Sequence, residues 1–91
     1  MELQIVSTSE LKTRLENSDH WVKITSGEYI TVIEVNDPSR QFKGGRSYII
    51  SYYDPNSTYI CTIHRMTDKR QRVRHEHPKR AIIDGVEFKI Q

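Results

Sequence analysis

The apolar residues of this chain follow two spacings. Up to about residue 19 the spacing is helical: in VSTSELKTRLENSD, Leu11 and Leu15 stand four residues apart with polar residues between them. Ser7 sits at an N-cap position, Glu10 completes a capping box three residues later, and Val6 and Leu11 occupy the positions of a hydrophobic staple. Asn17, Ser18 and Asp19 supply a stop. One short helix is therefore expected, with ELQIV ahead of it as a strand.

From Trp21 onward, β-branched and aromatic residues alternate with polar ones at period two, which predicts sheet for the rest of the chain. WVKI and EYITVIEV flank Thr25-Ser26-Gly27, which reads as a hairpin turn because Gly27 can take the positive φ of a tight turn. NDPSRQFKGGR is the longest loop. Its Gly44-Gly45 pair lacks the glycine spacing, lysine and following helix of a phosphate loop, so a flexible turn is expected there. SYIISYY and TYICTIHRM are two strands joined by Asp54-Pro55-Asn56-Ser57, a turn by composition. RQRVRHEH follows a turn at Thr67 to Arg70 and ends at Pro78, and AII and VEFKI flank Asp84-Gly85, a favoured type I′ pair. The sum is an α+β fold with one N-terminal helix packed on a twisted antiparallel sheet of five to seven strands, closure into a small barrel being the alternative. Tyr29, Ile30, Ile33, Val35, Ile49, Tyr52, Ile60, Ile63 and Phe88 are the expected core, with Trp21 covering one edge.

With 91 residues, the chain suits a single domain spanning 1–91. Hydrophobic residues make up 35% and charged residues 29%, with a mean hydropathy of −0.70, so the core must be thin. No apolar run approaches the roughly 18 residues of a membrane-spanning helix, and MELQIVSTSE lacks the layout of a secretory signal. A cytoplasmic location without a membrane partner is expected. Cys61 is the only cysteine, which excludes an intrachain disulfide and a four-cysteine zinc site and leaves a small buried apolar residue.

Charge changes the picture more than composition does. HRMTDKRQRVRHEHPKR, residues 64 to 80, holds seven cations (Arg65, Lys69, Arg70, Arg72, Arg74, Lys79, Arg80) against Asp68 and Glu76, a net +5. The rest of the chain holds seven cations against ten acids, a net −3. Such a local excess lets a protein hold a polyanion at one place, although a charged, solvated turn has the same composition. Arg40, Lys43 and Arg46 form a second, weaker basic group in the long loop.

If residues 58 to 66 pair with 71 to 77 across a turn at Lys69-Arg70, His64 lies opposite His75, with His77 on the same face, and Arg65 lies opposite Arg74 on the other. Facing guanidinium groups repel unless an anion lies between them, which suggests a phosphate site. Two facing imidazoles supply what metal-free RNA cleavage needs. A neutral one takes the 2′-hydroxyl proton, a protonated one gives a proton to the leaving oxygen, and arginine stabilises the charge on phosphorus. Glu76 would orient an imidazole or act as base, and a salt bridge to Arg65 or Arg74 is its structural alternative. His64, His75 and His77 could also offer three metal ligands, but the surrounding positive charge opposes a divalent cation, so no metal and no cofactor are expected. Of the tyrosines on the two central strands, Tyr53 is the one expected to be exposed for base stacking.

GGRSYIISYYDPNSTYICTIHRM resembles the carboxy-terminal strands of RelE-like ribonuclease toxins: a Gly and Arg leading into an apolar strand, a polar turn, a second apolar strand and a His-Arg end. The match covers about a quarter of the chain. Those toxins usually carry two helices before the sheet, where the pattern here gives one, and the residues after Met66 have no counterpart in them. The resemblance implies basic and acid-base roles for Arg46, His64 and Arg65.

The expected function is a small RNA-binding domain of toxin–antitoxin type, with metal-independent ribonuclease activity from His64, His75 and Glu76. Arg46, Arg65, Lys69, Arg70, Arg72, Arg74, Lys79 and Arg80 would hold the nucleic acid. The alternative is a non-enzymatic inhibitor or adaptor that presents the basic hairpin to an acidic protein partner, and a homodimer through a sheet edge is a third arrangement.

Overall fold

The chain starts at one edge of its sheet and, after two helices, resumes at the other. A computed structural model describes residues 1–91 and contains β1 (Glu2–Val6), α1 (Thr8–Glu16), α2 (His20–Thr25), β2 (Ile30–Pro38), β3 (Arg46–Tyr53), β4 (Tyr59–Thr67), β5 (Val73–Ile83) and β6 (Val86–Ile90). The strand order is β1-β6-β5-β4-β3-β2. The helices carry the chain from β1 to β2, and an antiparallel meander then returns it until β6 lies parallel to β1. The fold is α+β and the sheet is open. No helix is long and apolar enough to cross a membrane.

The first helix begins where its cap signal places it. Ser7 Oγ accepts from the Glu10 amide at 3.1 Å, and Val6 and Leu11 are both buried as a staple requires. The Glu10 carboxylate accepts from Arg14 Nε at 3.1 Å rather than reaching back to the cap.

The second helix replaces the strand expected at WVKI. Trp21 and Ile24 turn inward at a spacing of three, while Val22 and Lys23 are exposed. Four residues fit either period, so the pattern alone did not decide. Gly27 has φ +82°, as a hairpin turn would need, but here it follows the end of a helix. Its amide donates to Ile24 O and the Glu28 amide donates to Lys23 O, closing a Schellman motif.

Leu11, Leu15, Ile50, Tyr52, Cys61, Ile63, Ala81, Ile83 and Phe88 belong to one buried cluster between the helices and one face of the sheet. Tyr29, Tyr52, Ile60, Ile63 and Phe88 are buried as expected. Ile30, Ile33 and Val35 are not, because β2 is an edge strand and is exposed along all nine residues. Ile49 is only half-buried: alternation sends its neighbours Tyr48 and Ile50 toward the helices and Ile49 to the other face. Trp21 is half-buried against the cluster. Burial pushes the Cys61 thiol up to about 12, as suits an inert core residue.

Pro78 does not end the fifth strand. It lies opposite Ile63 next to a bulge, beyond the stretch Arg80–Ile83 that pairs with β6, so its missing N–H costs no ladder bond on that side. Asp84 and Gly85 both take positive φ, 51° and 78°, in the expected turn.

Candidate nucleic-acid interface

The β2–β3 loop and the β4–β5 turn meet at one end of the sheet. They are locked together at Gly45, where a Cβ would lie 1.9 Å from the Thr67 carbonyl oxygen, and at Gly44, whose φ is +80° and whose Cβ would lie 2.9 Å from Lys69 Cβ. This glycine pair is thus a close-packing point rather than the loose turn expected from its sequence. The Arg46 amide donates to Thr67 Oγ1 at 3.3 Å and fixes the same junction.

Asp68 shapes the turn. Its Oδ1 accepts from the Arg70 and Arg72 amides at 2.8 and 3.1 Å, and its Oδ2 from Arg72 Nε at 2.9 Å, with Arg74 at 3.6 Å. Burial pushes its carboxyl up, but the two amides and the Arg72 guanidinium outweigh that and hold it below the ordinary value. Gln71, with φ 64°, completes a five-residue connection in place of the two-residue turn expected. Between loop and turn lies an open groove of about 810 Å³, lined by Lys43, Lys69, Arg70, Arg72, Arg74, Asp68 and Phe42. Five cations against one carboxylate give it a net +4.

The histidines converge beside this end of the sheet. His64 lies opposite His77 and Met66 opposite His75, two residues away from the expected register. A shift of two preserves the face, so all three imidazoles remain together. Ring centroids are 5.2 Å apart for His64 and His77, 4.8 Å for His75 and His77, and 6.2 Å for His64 and His75. His77 Nδ1 and His75 Nε2 share a hydrogen bond of 2.9 Å, and His64 Nε2 shares one of 3.0 Å with Ser47 Oγ. Burial lowers the pKa of His64 and His77, and neighbouring positive charge lowers it further, from Lys79 and His75 on His64 and chiefly from the other two histidines on His77. Arg40, Asp37, Ser47, Met66 and His64 border a hollow of about 540 Å³ on this face. No group of three or more His, Cys, Asp or Glu side chains is arranged to hold a metal ion.

The same register overturns the expected pairing of Arg65 with Arg74. Arg65 lies opposite Glu76 and is hydrogen-bonded to it on the helix side, where Glu76, Leu15, Trp21 and Ile63 line a small cleft. Burial works against the Arg65 charge, but Glu76 more than offsets it, so its pKa is raised. Glu76 therefore orients no imidazole, and Arg65 lies on the opposite face from the histidines. Arg74 instead covers the Phe42 ring, its guanidinium carbon 5.6 Å from the centroid.

Of the other expected contacts, Lys69, Arg70, Arg72 and Arg74 meet in the groove. Arg46 is bound to Asn36 Oδ1 and O at 2.8 and 2.7 Å, and Arg80 to Glu87 at 2.6 Å. Tyr53 is at the far end of β3 and packs edge-on against Tyr59, whose ring lies under Arg80. Sequence reasoning missed Phe42 and Ser47. Phe42 is the one apolar residue between Val35 and Tyr48, placed directly before Lys43, a signal that was available in the loop sequence. Comparisons with protein-family models, curated proteins and solved structures find no match to this chain.

Proposed function

We propose that this chain is a small cytoplasmic RNA-binding domain that holds phosphates in the groove between the β2–β3 loop and the β4–β5 turn. The observation that carries the reading is the groove's net +4 in a chain of net +2, which leaves the remainder at −2. A lone buried cysteine supports a reducing compartment. The groove residues Lys43, Lys69 and Arg70 make no ion pair with a carboxylate of the chain, and Arg72 and Arg74 share a single one. Fluorescence anisotropy with a labelled RNA tests the reading. Binding should weaken steeply with salt, and Lys69→Glu with Arg70→Glu should abolish it. Affinity unchanged by that charge reversal would refute the groove, and capture of one acidic protein after nuclease treatment, with no RNA bound, would favour the adaptor alternative.

Metal-independent cleavage of the toxin type draws on the histidine face. The lowered pKa of His64 and His77 favours the neutral form that accepts a proton, and Arg40, which borders the same hollow as His64, is placed to stabilise charge on phosphorus. RNA incubated with the protein and a chelator should yield 2′,3′-cyclic phosphate ends, and His64→Ala should lower the rate roughly 100-fold or more. Intact RNA under those conditions, at protein concentrations that saturate binding, would leave a binding domain alone.

A further inference from the structure

We infer that Phe42 is a base-stacking platform, so that the groove takes single-stranded RNA with one unpaired base laid on the Phe42 ring and the adjoining phosphates on the surrounding cations. The inference deepens the RNA reading and rests on it. Phe42 is the one hydrophobic residue lining the groove, and it lies outside the buried cluster between helices and sheet. Its position is nevertheless tightly specified. Ser39 Oγ accepts from the Phe42 and Gln41 amides at 3.0 and 3.2 Å, the Phe42 carbonyl accepts from the Gly45 amide at 2.8 Å, and Gly45 is pressed against Thr67.

The Phe42 ring is half-buried among five cations, and of these the Arg74 guanidinium is the one placed over it. An unpaired base can take the place of the half-exposed Arg74 guanidinium over the ring. It can stack on the ring while its phosphates meet Lys43, Lys69 and Arg70. Bases inside a duplex are already stacked on one another and cannot reach the ring, so the groove should prefer single strands.

The test compares wild type, Phe42→Ala, Phe42→Leu and Phe42→Trp on a single-stranded RNA, on its duplex, and on heparin, a polyanion without bases. Wild type should bind the single strand more tightly than the duplex. Phe42→Ala and Phe42→Leu should weaken single-strand binding by roughly five- to a hundred-fold, Phe42→Trp should retain it, and heparin binding should be unchanged in all three. Single-strand affinity unaffected by Phe42→Leu would overturn the stacking role while leaving the groove intact. So would an equal loss toward heparin, which would mean that the ring merely shapes the loop. Wild type that binds neither RNA nor heparin would instead remove the RNA reading itself.

Discussion

Gly45 holds the interface together by having no side chain. The Thr67 carbonyl occupies the space a methyl group would need, so Gly45→Ala must push the β2–β3 loop away from the β4–β5 turn. Overpacking of this kind costs about 1–3 kcal/mol, which urea denaturation would show as a lower midpoint, and RNA affinity should fall with it because Lys43 and Phe42 move away from Lys69. An unchanged midpoint would mean that the junction yields freely. At the histidines the relevant variable is protonation. The folded pKa values of His64 and His77 lie below the ordinary 6.5, so above that pH both states are neutral and no stability is lost. Below it the unfolded chain takes up protons that the folded chain resists, so stability should fall as pH drops from about 7 toward 5. Asp68 acts in a separate window, since its depressed carboxyl contributes above its ordinary value of 3.8 and loses that contribution only in stronger acid. A denaturation midpoint that stays flat between about pH 7.5 and 5.5 would contradict the histidine assignment, and His64→Gln with His77→Gln should flatten it deliberately.

At the scale of elements, the parts of the fold readable from sequence were those whose local chemistry has one solution. The Ser7 cap, the Leu11 and Leu15 stripe, and the Asp84-Gly85 turn each meet a backbone requirement that their residues satisfy alone. Where two solutions share a pattern, tertiary packing decided. WVKI became a helix because Trp21 and Ile24 could reach the core together, and Gly27 became its terminus. β2 reads as core from its Ile30, Ile33 and Val35 but forms an edge, because strand order is set by long-range pairing that leaves no local trace. The site followed the same division. The histidine face survived a register error of two residues because side chains alternate, whereas the Arg65–Arg74 pairing did not, since it depended on which residues stood directly opposite. The caps also make a quantitative claim. Ser7→Ala removes the acceptor of the Glu10 amide and should cost about 1 kcal/mol. Gly27→Ala puts a Cβ on a residue at φ +82° and should cost a similar amount, about 1 kcal/mol, although nothing stands within 4 Å of that Cβ. Equal midpoints for Gly27→Ala and wild type would show that α2 does not need its Schellman end.

Over the whole molecule, cations are gathered at one end of the sheet, while four of those elsewhere are neutralised in place. Arg65 meets Glu76, Arg80 and Lys89 meet Glu87, and Arg14 meets Glu10, whereas the groove keeps five cations around one carboxylate. A polyanion should therefore respond to this end and be indifferent to the rest, a claim that net charge alone does not make. Single-stranded RNA that engages the groove's four uncompensated charges should show log affinity falling against log salt with a slope of roughly −3, from about 0.7 ions released per phosphate neutralised. Lys69→Ala removes one such contact and should make the slope shallower by roughly 0.7 while weakening binding at low salt. Arg80→Ala lowers the net charge of the chain by the same one unit, but Arg80 is engaged by Glu87 and Tyr59 away from the groove. Its slope should match wild type. If the two variants shift the slope equally, RNA is sensing the overall charge of the protein, and the groove loses its special standing.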